Sequence, residues 1–264
     1  MTGIGIGAGL GVLAGGRLSY SPLTLSTRLN QTGQGDNEWV QFGTGAPFHI
    51  NATLPKTIGG WYKSTPGSLV LQTLMSKYDS LAVSGWRFLI YSDDTWIFQI
   101  RSAAAKVIGR RLDAPTGVDG AWHSAIATYD GSQSPAGISI YIDGLAPAAT
   151  TSQTGTPVNH VTAAQYNVGN RADGGMAVDD FMGYVCHPFI IAEELTPAEA
   201  LLIGGQGVPL HLINALPTRT IEHWCAFGDG CALGASGYVD ISGGGNHGTT
   251  FNVDAGDIQG DVPP

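Results

Sequence analysis

Residues 119–144 read DGAWHSAIATYDGSQSPAGISIYIDG, and this stretch decides the fold. Its first part alternates with a period of two. Trp122, Ser124, Ile126 and Thr128 share one face, and His123, Ala125, Ala127 and Tyr129 share the other, as successive side chains do on a β-strand. Residues 130–137 follow, rich in the Asp, Gly, Ser and Pro that turn a chain. Residues 137–142 form a second strand, β-branched and aromatic. Asp143-Gly144 then closes it with a pair suited to a tight turn at positive φ. Two such strands cannot bury an apolar face alone, so the hairpin predicts a larger antiparallel assembly.

Working outward, the order G-x-W-H, strand, Y-D-G, loop, strand, Y-x-D-G is carried by Gly120, Trp122, His123, Tyr129, Asp130, Gly131, Tyr141, Asp143 and Gly144. It resembles the laminin-G-like / concanavalin A-like jelly-roll superfamily. The resemblance implies an all-β fold, an antiparallel two-sheet jelly-roll sandwich with one short helix. It says little about function, because that sandwich serves sugar-binding modules, adhesion domains, glycosidases and virion proteins. The pattern predicts strands at 39–43, 56–63, 86–92, 95–101, 107–112, 166–169, 179–191 and 220–227, with 69–77 mixed and 146–164 a polar loop. Asp93-Asp94 marks a hairpin between two of them, and Pro188 predicts a bulge or an edge position. Thr196, Pro197 and Glu199 start a helix that Gly204-Gly205 ends. Three segments result: a Gly-rich N-terminal arm over 1–35, the jelly roll over 36–205, and a C-terminal extension over 206–264. The extension carries D-I-S-G-G-G-N-H-G-T (240–249), which resembles an element of the same superfamily. Its added strands pack on the sandwich or on a neighbouring subunit, and residues 253–264 read as a linker.

A net charge of −9 argues against a nucleic-acid face. Charged residues make up 12% of the 264, about half the ~25% of ordinary soluble domains. Either part of the surface is hidden in permanent contacts, whose cores are depleted in charge, or the surface is polar and uncharged. Residues 1–16 lack the basic start and unbroken apolar run of a secretion signal and are too short to cross a bilayer. With Ser21-Pro22-Leu23-Thr24-Leu25-Ser26, this terminus resembles those of tailed-phage virion proteins carrying the domain. That resemblance implies a non-enzymatic structural protein on the outer surface of a phage particle, decorating the capsid or forming part of a fibre or tail. Its partners would be itself, as a trimer or dimer, and other virion proteins such as the major capsid protein. The alternative is a carbohydrate-binding, lectin-like adhesion module that takes host surface glycan, with or without calcium.

Glycosidases of this fold use paired carboxylates, in an E-x-D-x-x-E arrangement absent here. No G-x-S-x-G elbow supports a Ser-His-Asp site. An enzyme is therefore not expected, and no cofactor beyond the calcium option. Acidic groups for an ion would come from Asp93-Asp94, Asp173 and Asp179-Asp180. For a sugar, the hairpin tip formed by Tyr91, Asp93, Asp94 and Trp96 is the candidate ligand rim, set against the plainer reading that its aromatics pack between the sheets. Of three cysteines, Cys225 and Cys231 enclose a short Gly-containing loop and are the candidate disulfide. Cys186 reads as a small buried hydrophobe.

Overall fold

A computed structural model describes residues 25–30, 37–51, 53–103, 106–157, 162–173, 176–229 and 231–263. Most of the expected 1–35 arm lies outside the described residues. In chain order the strands are β1 (Ser26–Leu29), β2 (Trp39–Gln41), β3 (Lys56–Ser64), β4 (Gln72–Asp79), β5 (Ser84–Ile90), β6 (Trp96–Ala103), β7 (Lys106–Leu112), β8 (His123–Tyr129), β9 (Ile138–Ile142) and β10 (Ala149–Thr154). Next come β11 (Asn167–Val168), β12 (Arg171–Asp173), β13 (Met176–Val178), β14 (Gly183–Ile191), helices α1 (Pro197–Gly204) and α2 (Leu212–Ala215), β15 (Ile221–Trp224), β16 (Thr249–Phe251) and β17 (Ile258–Gln259).

Among the described residues, seven strands form one antiparallel sheet in the order β17-β1-β14-β3-β8-β9, with β15 also on β14. Eight form the facing sheet, β10-β7-β6-β5-β4-β11-β2-β16. The protein is thus the antiparallel jelly-roll sandwich with few helices that the hairpin implies. The alternation of 123–129 explains the packing. Ala125, Ala127 and Tyr129 of β8 and Ile138, Ile140 and Ile142 of β9 enter the core between the sheets, with Phe88, Phe98 and Ile108 opposite. The other parity, Ile126 and Tyr141, points outward and is covered by Leu195, Ala200 and Ile203 around α1 and by Leu212 and Leu216 around α2. Asp143 (φ +50°) and Gly144 (φ +73°) make the expected tight turn, closed by Ile142 N–H to Leu145 O at 2.9 Å and the return bond at 3.0 Å.

Four departures have physical causes. The first strand is Ser26–Leu29, ahead of the expected opening near 36, and it lies between β14 and β17. The mixed 69–77 stretch is β4, whose register against β5 shifts between Thr73 and Met75; the shift breaks the two-residue period. The expected polar loop 146–164 contains β10, a strand with no buried face to give it a pattern. Residues 253–263 are not a linker: Val253 and Asp257 are buried, and β17 pairs with β1. Pro188 does sit at a bulge, where the β14 register shifts between Cys186 and Phe189.

The C-terminal strands of this chain join both of its own sheets. β15 pairs with β14, and β16 pairs with β2, where Phe251 stacks on Trp39 with centroids 4.7 Å apart. Between them Asp240 ties the Gly-rich element together. Its carboxylate accepts from Ser242 N (3.0 Å), Ser242 Oγ (2.6 Å) and Asn246 N (3.0 Å). Among the described residues no helix is long and apolar enough to cross a membrane.

Candidate functional site

The two sheets turn different outer faces to their surroundings. The seven-stranded sheet is sealed by its helices over Ile126, Tyr141, Phe189 and Trp224. The eight-stranded sheet carries a polar row instead: Ser152, Gly109, Gln99, Arg87, Ser76, Asn167, Gln41 and Thr249 stand side by side, one from each strand. Toward β11 this row is overlaid. Ser76 Oγ donates to Asn170 O at 2.9 Å, and Arg87 lies 3.9 Å from Asp179. Toward β10 it opens into a groove of about 460 Å³ lined by Tyr91, Asp93, Thr95, Ile97, Gln99, Arg111, Leu112, Asp113, Thr150 and Ser152.

The β5–β6 hairpin tip builds one wall. Tyr91 N–H donates to Thr95 O (2.8 Å) and Asp94 N–H to Tyr91 O (2.9 Å), with Asp94 at φ +61°. Asp93 accepts from its own turn through Thr95 Oγ1 at 2.6 Å. Arg111 reaches across from β7. Its Nε donates to Thr95 Oγ1 at 2.8 Å, its Nη2 pairs with Asp93, and its guanidinium lies 4.7 Å over the Tyr91 ring. The Thr95 hydroxyl first, and then Arg111, hold the Asp93 carboxyl below its ordinary pKa. On the far wall Thr150 Oγ1 donates to Asp113 at 2.7 Å. The groove therefore offers a carboxamide, hydroxyls, carboxylates and a guanidinium around the small apolar surface of Ile97. That mixture suits a polyhydroxylated ligand, which needs donors and acceptors fixed in place.

The expected rim divides. Tyr91 and Asp93 line the groove. Asp94 turns away and accepts from Gly67 N–H at 3.0 Å. Trp96 is fully buried, its ring 4.6 Å from Tyr62 and 4.8 Å from Phe88 and its indole N–H on Thr116 O at 3.2 Å; it is a core residue. The alternation in TWIFQIR carries this assignment, since Trp96, Phe98 and Ile100 have one parity and Ile97 and Gln99 the other. Arg111, which reads from sequence as a solvated strand end, is the central contact of the groove.

The remaining candidates lie elsewhere. Cys225 and Cys231 are both free thiols, Cys231 Sγ accepting from Gly228 N–H at 3.4 Å, and Cys186 is fully buried. Asp179 pairs with Arg171 at 3.2 Å; the Asp173 side chain lies outside what is described. Among the described residues no group of three or more His, Cys, Asp or Glu is arranged to hold a metal ion. His123 bridges Asp143 (2.7 Å) and Asp119 (3.0 Å), and the hydrogen bond to Asp143, seconded by that to Asp119, raises its pKa. Ser124 is not its partner, donating instead to Gly204 O at 3.1 Å.

The model of the concanavalin A-like lectin/glucanases superfamily, laminin-G type, matches residues 32–200. Among solved structures, a candidate carbohydrate-binding protein from Bacteroides ovatus superposes with a TM-score of 0.58 at 14% identity, over 88% of this chain and 59% of its own. The CBM40 module of Ruminococcus gnavus IT-sialidase, bound to α2,3-sialyllactose, does so with a TM-score of 0.51 at 14% identity, over 69% and 99%. The chain thus spans 59% of the length of the Bacteroides protein. No curated protein matches the sequence. At these identities the solved structures share the fold.

Proposed function

Because the chain belongs to the concanavalin A-like lectin/glucanase superfamily, we propose that it is a non-catalytic, lectin-like module that holds glycan in the groove beside β10. One observation carries the reading: of the two outer sheet faces, the helices seal one, and the other is polar and open beside Arg111. Two similar folds, one a candidate carbohydrate-binding protein and one bound to sialyllactose, support it. Catalysis is no part of the reading, which rests on the sequence's lack of the E-x-D-x-x-E carboxylates that glycosidases of this fold use. The test is a glycan array with the purified chain, with calcium and with chelator, followed by titration of the best ligand. Arg111→Ala should weaken binding at least about tenfold, the loss of charge-assisted hydrogen bonds worth ~1.5–3 kcal/mol. Equal binding by the variant, or no glycan bound by the parent, overturns the reading.

A second reading places the module on a tailed-phage particle, as a structural protein of capsid, fibre or tail. The 12% charge favours it, because surfaces held in permanent contact are poor in charge. Beyond a fixed dimer or trimer it requires co-sedimentation with shells of the major capsid protein, which a free lectin would not show.

A further inference from the structure

The eight-stranded sheet ends in a strand with nothing to bury. In β10 Ala149 is half-buried and residues 150–154 are all exposed. Ala149, Thr151 and Gln153 continue the inward series Leu112, Arg110 and Ile108 of β7, yet the facing sheet stops at β9 and leaves Thr151 and Gln153 uncovered. Among the described residues β10 has one neighbour in its sheet, β7, so its other edge presents a row of backbone N–H and C=O groups that none of them pairs. A ladder on one side without a buried face is the marginal condition for a strand.

Edges are normally guarded by brevity, charge, Pro or a bulge. Among the described residues the edges at β16 and β17 follow that rule by brevity, and one carbonyl of the β9 edge is capped. β16 has three residues and β17 two, and at β9 the Arg110 guanidinium donates to the Ile138 carbonyl at 2.9 Å. β10 is six residues long, ATTSQT, with no charge, no Pro and no register shift against β7.

We propose that β10 is an assembly edge, to which a second copy of this chain adds its own β10 antiparallel across a two-fold axis. Such an interface must be self-complementary, and ATTSQT is so in the register centred on Ser152. Ser152 faces Ser152, Thr150 faces Thr154 and Thr151 faces Gln153, with no like charges opposed and hydroxyl pairs on the outer face. The sheet then runs through both molecules. Thr150 and Ser152 also line the groove, so the pairing sets two grooves side by side. It stands independently of the glycan reading.

Sedimentation velocity on the full chain over a wide concentration range tests it. The parent should form a dimer. Thr151→Lys with Gln153→Lys, which sets Lys against Lys in this register, should sediment as a monomer with an unchanged melting temperature. Ser152→Cys with oxidised glutathione should give a covalent dimer that the parent does not, because facing Cα atoms ~4.5–5.5 Å apart suit a disulfide. A monomeric parent, a dimer that survives both lysines, or no cross-link through position 152 each overturns the proposal. Neither lysine replaces a groove residue, so glycan titration of the monomeric variant tests the lectin reading separately.

Discussion

His187 sits where the β14 ladder breaks, buried and with φ at +50°. Its Nδ1 accepts from the Trp224 indole N–H at 2.9 Å, so the ring is neutral, and burial brings its pKa down to about 4. Protonation would set a donor against a donor. A histidine whose folded pKa lies below its unfolded value near 6.5 contributes stability that is present above that pH and lost as pH falls toward 4. At about 1.4 kcal/mol per pKa unit the loss approaches about 3 kcal/mol. His187→Gln keeps an acceptor for the indole without the proton, and should flatten the fall in denaturant midpoint between about pH 6.5 and pH 4. An unchanged slope would remove His187 from the account. Nothing in the local sequence marks this residue, because its partner lies 37 positions away.

At the scale of the element, legibility follows locality. Helix α1 begins as its sequence predicts: Thr196 Oγ1 accepts from Glu199 N–H at 3.3 Å, and Glu199 accepts from Thr196 N–H at 2.8 Å. Arg219 adds two bonds of 2.7 Å to Glu199, and its hydrogen bonding leads the causes that hold that carboxyl down to about 2. Thr196→Ala should cost about 1 kcal/mol in denaturant unfolding, the ordinary worth of an N-cap; no loss would mean that the Arg219 contact alone holds the helix start. The strands that escape a pattern reading are those whose pattern is physically absent. A bulge interrupts β4, and β10 has no buried side to alternate with. Trp96 flanks the Asp93-Asp94 turn in sequence, but the parity it shares with Phe98 and Ile100 sends it into the core, as the plainer reading of its aromatics has it. Of the groove, the hairpin tip makes Tyr91 and Asp93 legible, whereas Arg111, Asp113, Thr150 and Ser152 come from strands and turns that only tertiary pairing brings alongside.

At the scale of the molecule, the residues beyond α1 are structural parts of both sheets. Trp224 lies in the outer apolar cluster under the helices, and Tyr238 lies in the core, where its hydroxyl meets Thr27 Oγ1 at 2.7 Å. A chain cut after Gly205 loses β15, β16 and β17 and opens the edges of β1 and β2. It should be insoluble or bind a hydrophobic dye, whereas the full chain should not; a soluble, cooperatively melting fragment would show that the jelly roll ends at the helix. The hairpin in 119–144 was sufficient to indicate a sandwich. Where that sandwich began and ended was not legible, since β1 and β17 are short strands defined by each other.

The placement of β1 also sets an order in time. Thr27 pairs with Val185 on one side and Ile258 on the other. In synthesis β1 emerges well before either of its neighbours, β14 and β17. The meander β4-β5-β6-β7 can form as it emerges, because its pairings are local. The β1 slot between β14 and β17 must stay open until β17 has emerged. Closing so long a loop is slow, and the waiting strand is exposed to wrong partners throughout. Among the described strands, β1 is thus seated only once both β14 and β17 are in place.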